Sequence, residues 1–141
     1  MPILNYTTKI DPDKTCSEIA KIISKHGAQA VMIEYDQENQ LVSSLSFKID
    51  LGGRQIAFRL PVDWRPVQKV LQEQRVRCDQ AMAVRVSWRI LKDWVAAQMA
   101  LVETQMVSTQ QVFLPYAIMR DGRTLSEKII SDPSMLLESG K

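Results

Sequence analysis

Gln80–Val107, QAMAVRVSWRILKDWVAAQMALVETQMV, decides the fold, because no other stretch carries so many apolar residues without a break. At 100° per residue, Ala81, Val84, Trp88, Leu91, Val95, Met99, Val102 and Met106 line one stripe of a helix, and Val86, Ile90, Ala97 and Leu101 line a second, nearly opposite one. Such a helix has to be covered on two sides. Over its whole length it would reach roughly 42 Å, longer than a small domain is wide. Its narrow polar side holds Arg85, Arg89, Lys92, Asp93 and Glu103, with Arg89 and Asp93 spaced to pair across one turn. Ala96 and Ala100 interrupt that side and open a shallow groove, so a homodimer formed by crossing of this helix with its copy is an expectation.

Upstream of this axis the pattern is a meander. Ala28–Tyr35 alternates with Val31, Ile33 and Tyr35 on one side, and a second strand from Leu41 puts Leu45, Phe47, Ile49 and Leu51 on one face. Gly52-Gly53 supplies the positive φ that a two-residue hairpin turn demands, and the strand beyond it points Ile56, Phe58 and Leu60 inward. Asp63 is an N-cap for a helix over Trp64–Gln74, with Val67, Val70 and Leu71 as its apolar stripe. Arg75–Asp79 is a basic connector to the axis. At the start of the chain, Pro2–Lys9 reads as an edge strand, and Thr15 to Glu18 as a capping box opening a helix that buries Cys16, Ile19, Ile22 and Ile23 and ends at Gly27. Downstream, Ser108 or Thr109 caps a short helix that Pro115 ends, and Thr124 to Glu127 repeats the capping box. Asp132–Lys141, with Pro133, Gly140 and no periodicity, is a tail, leaving 1–131 as a single domain.

The expected class is α+β: an antiparallel sheet of about four strands, in the order strand, helix, meander, packed by the long helix of the C-terminal half and by short flanking helices. In architecture alone this order resembles half of a TATA-binding-protein fold or a helix-grip fold. With 141 residues, 45% of them hydrophobic, the chain is long enough to bury a core without disulfides. Cys16 and Cys78 fit no metal or redox spacing and no secretory leader pattern opens the chain, so the expected location is the cytoplasm. The long helix is too interrupted by arginines for a bilayer span.

The formal charge of +2 hides an asymmetry. Leu51–Lys92 holds nine Lys or Arg against three Asp or Glu, and the rest of the chain holds nine against thirteen. A basic concentration of this kind marks either a surface for phosphates or a set of solvated helix and strand faces. Read as a surface, it comprises Arg54, Arg59, Arg65, Lys69, Arg75, Arg77, Arg85, Arg89 and Lys92. Trp64, Trp88 and Trp94 each lie near an arginine and so invite base stacking, although Trp88 falls on the apolar stripe.

Chemistry is sparse by comparison. Gly52-Gly53 leads into a strand and not into a phosphate-binding helix, and His26, next to Gly27, suits a helix C-terminus better than a general base. A single histidine supports neither a zinc hydrolase centre nor a triad elsewhere in the chain. Pro12-Asp13 lacks the later carboxylate and lysine of a nuclease strand, and Glu34 with Asp36, which could share a metal, leads into a turn. The expectation is a protein without catalytic activity, cofactor or metal.

Several motifs carry a resemblance over most of the chain: Asn5-Tyr6-Thr7-Thr8-Lys9-Ile10, Phe58-Arg59-Leu60-Pro61-Val62, Arg85-Val86-Ser87-Trp88-Arg89-Ile90-Leu91-Lys92-Asp93-Trp94, Phe113-Leu114-Pro115-Tyr116 and Asp121-Gly122-Arg123-Thr124-Leu125. Together they resemble a family of short proteins of bacteriophages and integrated mobile elements with no assigned activity. The resemblance implies a setting of DNA metabolism or of countering host defence, in the host cytoplasm. Two functions are therefore expected: binding of DNA or RNA through the basic surface, or binding and blocking of a host defence or replication protein.

Overall fold

The computed structural model describes residues 1–138. Its first eleven residues form no strand: Tyr6 N–H donates to the Ile3 carbonyl (3.3 Å), Thr8 N–H to that of Asn5 (3.0 Å), and Asn5 takes φ 65°. The segment curls because neither side of its alternation is apolar. Ile3 and Tyr6, three apart, instead share one side and pack beside Leu71, Cys78, Ala83 and Val86. The sheet therefore lacks its expected opening strand, and the chain departs from the two strand-first architectures it was compared with.

Helix α1 (Pro12–Lys25) starts earlier than the Thr15–Glu18 box would have it. Asp11 caps it, accepting from Asp13 N–H at 2.9 Å, and Pro12 occupies the first turn, where its missing amide hydrogen costs nothing. Thr15 is consequently inside the helix and buried, and Glu18 is released for another partner. The face of Cys16, Ile19 and Ile23 is buried as expected, and Gly27, at φ 105°, follows the end of the helix.

The meander is β1 (Ala28–Tyr35), β2 (Val42–Leu51) and β3 (Arg54–Arg59), paired antiparallel in that order. Val31, Phe47 and Phe58 stand in one row, and Ile33 pairs with Leu45, so the inward face is the expected one except at Tyr35, which follows a register shift after Glu34 and is exposed. Gly52 and Gly53, at φ 63° and 88°, make the two-residue turn that pairs Leu51 with Arg54. The sheet has three strands rather than about four. Beyond β3 its edge carries one isolated bridge, from Phe58 to Ala117, with Ile118 N–H donating to the Ala57 carbonyl at 2.8 Å, and Ile118 in turn bridges Thr124.

Helix α2 (Trp64–Glu73) is capped by Asp63, and α3 (Gln80–Glu103) by Asp79, whose carboxylate accepts from Met82 N–H at 2.8 Å. α3 stops four residues short of Val107, because Gln105 turns left-handed at φ 65°. Its first stripe, Val84, Trp88, Leu91, Val95 and Met99, is buried in the core cluster that includes the inward face of the sheet, and the Trp88 indole donates to the Val42 carbonyl at 3.3 Å. Only the first half of its second stripe is covered from within the chain: Val86, with its neighbour Ala83, is buried against Leu71 of α2, and Ile3, Tyr6, Val67 and Ile90 pack around them, whereas Ala97 is exposed and Leu101 half-buried. Ala81 near the start of the helix, and Ala96, Ala97 and Ala100 further along, are exposed.

Helix α5 (Leu125–Ser131) opens on the expected capping box of Thr124 with Glu127, and of the two candidate caps for helix α4 (Thr109–Phe113) it is Ser108 that serves, in a capping box with Gln111. Phe113 closes the core, edge-on to Phe47 at 5.2 Å between ring centroids. Of the expected tail, Pro133–Met135 forms a 3-10 turn, and residues 139–141 lie outside the described residues.

Candidate nucleic-acid interface

The nine cations do not share one face. Arg89 and Lys92 point from α3 to α1: Arg89 Nη1 donates to Glu18 Oε2 at 2.8 Å and to Thr15 Oγ1 at 3.4 Å, and Lys92 Nζ lies 3.8 Å from the same carboxylate. The Arg89 side chain is only 14% exposed. Burial alone would raise the Glu18 carboxyl. The Arg89 hydrogen bond and charge, with Lys92 and Lys14, outweigh it and hold the group below its usual range. These two cations bind α1 to α3, and their charge is already answered. Arg89 thus pairs across seventy residues of chain and not with Asp93, which accepts from Asn5 Nδ2 at 2.8 Å and fixes the N-terminal turn.

Arg54 and Arg59 belong to the sheet. Arg54 sits at the hairpin, at the end opposite the β3–α2 connection, beside Leu51, Ile56 and Leu114. Arg59 projects from the outer face, donates to the Gly122 carbonyl at 3.1 Å and lies 3.9 Å from Glu127. The latter carboxyl is held low mainly by the Thr124 amide and hydroxyl of its capping box.

The remaining five lie along α2, the connector and the start of α3, with Arg75 and Arg77 at the bend itself and Arg65 at the far end of α2. Arg65 stacks its guanidinium over Trp64, 5.2 Å from the ring centroid, and lies 3.4 Å from Asp63. Lys69 stands one turn along, on the same face of α2. Arg75 follows the C-cap: its N–H donates to the Gln72 carbonyl (3.0 Å), Val76 N–H to that of Leu71 (2.8 Å), and its φ is 63°. That is the left-handed position at which helices usually place glycine. Arg77 extends from the strand-like connector before Asp79. Lys69, Arg75 and Arg77 are exposed and enter no ion pair among the described residues.

Arg85, on the second turn of α3, completes the group. Its Nε is buried without a hydrogen-bond partner. Lys9 joins it from the N-terminal turn, along the same cleft as Val76. No sequence signal pointed to Lys9, because an edge strand would have carried it away from α3.

The other reactive side chains are engaged or covered. His26 lies with Nδ1 2.7 Å from the Ile22 carbonyl oxygen and Nε2 2.9 Å from Glu103 Oε1. The backbone bond to Ile22 and the Glu103 carboxylate raise its pKa against the opposing effect of burial. Burial pushes the Cys16 thiol up to about 11 and the Cys78 thiol upward as well, so neither is a thiolate at neutral pH. Glu34 accepts from Ser44 Oγ, and Asp36 from Glu38 N–H in the turn. Trp88 is core, and Trp94 packs edge-on against Phe113 and Tyr116. Trp64 is half-buried and joins both clusters of the core, so one ring edge staples α2 to the body while Arg65 covers a face. Among the described residues no helix is long and apolar enough to cross a membrane, and no three of His, Cys, Asp and Glu gather to hold a metal ion. No family model, curated protein or solved structure matches the chain.

Proposed function

We propose that the protein acts by binding nucleic acid, with the α2–α3 bend as the contact surface and phosphates as its principal target. The observation that carries this reading is Arg75. An arginine held left-handed costs about 1 kcal/mol or more relative to glycine, and it stands with Lys69 and Arg77 among cations that no carboxylate of the described residues pairs with. Exposed cations of this kind bind phosphate diesters by releasing counterions, without a reaction. The engaged histidine and the buried, protonated thiols support binding over catalysis. Arg54, Arg59, Arg89 and Lys92 are left out of the surface, or at its margin, because of where they sit and what they pair with.

Fluorescence anisotropy with labelled single- and double-stranded DNA and RNA oligonucleotides at ~50 mM salt tests the reading. Saturable binding that weakens steeply with added salt is expected, and the rank order of the four probes identifies the preferred strand type. No binding to any of them at that salt overturns it. A second reading, a blocker of a host protein in the phage setting that the sequence resemblance implies, is favoured by the exposed apolar residues Ile130, Met135 and Leu137, which are 77%, 82% and 96% exposed. Capture of a host protein that survives nuclease treatment, by a chain that binds no oligonucleotide, would select it.

A further inference from the structure

Between the N-terminal turn and the first turns of α3 lies a cleft of about 260 Å³, lined by Tyr6, Thr7, Thr8 and Lys9 of the turn, by Val76 of the connector and by Met82 and Arg85 of α3. Among the described residues no aspartate or glutamate lines it. The Nε of Arg85 is buried with no partner, and Arg85 enters no ion pair among the described residues, whereas Arg89, one turn later, has Glu18 at 2.8 Å. A cation partly withdrawn from water and left unmatched is costly, and its complement is an oxyanion. We propose that this cleft seats a phosphate monoester group.

The chemistry selects that group on two counts. Lys9 and Arg85 bring two positive charges and no negative one, which matches a monoester dianion rather than the single charge of a diester or carboxylate. The donors also come from different sides: a planar guanidinium able to bind two oxygens from α3, and an ammonium with hydroxyls from the turn. Thr8 Oγ1 already accepts from Ile10 N–H at 3.2 Å, so its own proton is left to donate. That convergence suits a tetrahedral ligand. Val76 lines the same cleft and lies between Arg75 and Arg77, so a strand following those two arginines would bring its phosphorylated end to Arg85. The assignment to a strand end rests on the nucleic-acid reading; the phosphate site does not.

Titration of the full chain with inorganic phosphate, followed by ¹H–¹⁵N NMR at pH 7 against sodium chloride at matched ionic strength, reads the site directly. Saturable shifts at the amides of Thr7, Thr8 and Lys9 and at the Arg85 Nε–H are expected, with affinity about tenfold or more weaker in both Arg85→Gln and Lys9→Gln, as befits loss of a charge-assisted hydrogen bond. Using both variants covers the case in which one fails to fold. The wild-type affinity should also fall as the pH is lowered and the second phosphate proton returns. Absence of phosphate-specific shifts at the turn, or equal affinity in the folded variants, overturns the proposal. Oligonucleotides with and without a 5′- or 3′-phosphate then separate the sources: preference for a phosphorylated end, lost in Arg85→Gln, assigns the cleft to a strand terminus, and indifference to the end assigns it to a free phosphate compound. Phosphate binding by a chain that retains no oligonucleotide would sink the nucleic-acid reading and leave the cleft standing.

Discussion

Replacing Arg75 by glycine should make the protein more stable and a poorer binder. Arg75 sits at φ 63°, in the position after the α2 C-cap, with its N–H bonded to Gln72 and that of Val76 to Leu71. A side chain there crowds its own carbonyl at a cost of about 1–2 kcal/mol, which glycine avoids. Glycine in turn loses about 0.5–1 kcal/mol through the greater freedom of the unfolded chain. The net expectation is about 0.5–1 kcal/mol of stabilisation, or roughly +2 °C in Tm for a chain of this size. The Arg75 side chain is exposed and makes no ion pair among the described residues, so no ion pair there is given up. Binding should move the other way, because one phosphate contact is lost. Arg75→Ala is the control: it keeps the strain and removes the charge, so it should bind as weakly as Arg75→Gly without being stabilised. Guanidinium denaturation and oligonucleotide anisotropy on the three proteins read both effects. A destabilised Arg75→Gly would refute the strain argument, and unchanged affinity in both variants would remove Arg75 from the surface.

Glu18→Gln should cost about 1–3 kcal/mol, since it strips the hydrogen-bonded carboxylate from the mostly buried Arg89, and should leave oligonucleotide affinity unaltered. The Glu18 carboxyl is held low in the folded state, so its contribution is present above the unfolded value near 4.5 and is lost as pH falls through the lower folded value; the variant should lack that part of the acid sensitivity in chemical denaturation. Phe58→Ala, at a ring 1% exposed and stacked 5.3 Å from Phe47, should cost ~3–5 kcal/mol, and Lys48→Ala on the open face very little; equal losses would mean that the sheet faces are reversed. NMR titration should find His26 above its ordinary 6.5, and Glu103→Gln should lower it. Its stabilisation is full below the unfolded value and disappears as pH rises through the folded one.

Features governed by chemistry within a few residues were legible in the sequence: the Gly52-Gly53 turn, the Asp63 cap, the Ser108 and Thr124 caps, and the inward rows of β2 and β3. Where two local signals competed, the outcome depended on distant partners. Asp11-Pro12 and Thr15-Glu18 each describe a helix start, and only contact with α3, seventy residues away, reveals that Glu18 serves Arg89. The N-terminal segment has threonines suited to a strand, but its two useful apolar side chains are three apart, and burial against α2 and α3 prevailed. That same turn helps to hide Val86 and Ile90 of the second stripe of α3, a coverage no periodicity could disclose. For the candidate site, the run of nine cations was visible, but its division was not: it follows from which carboxylates the fold brings to Arg89, Lys92 and Arg59, and from the return of Lys9 to Arg85.

The salt dependence of oligonucleotide affinity, compared between wild type, Arg75→Gln/Arg77→Gln and Arg89→Gln, tests most directly whether the α2–α3 bend is the binding surface. Each phosphate contact contributes about 0.9 to the slope of log affinity against log salt on duplex DNA and about 0.7 on a single strand. Loss of Arg75 and Arg77 should therefore lower the slope by roughly 1.4–1.8, while Arg89→Gln, although less stable, should leave the slope of its folded fraction unchanged. A wild-type protein that binds no oligonucleotide at ~50 mM salt, or a slope that falls with Arg89 and not with Arg75 and Arg77, would contradict the account.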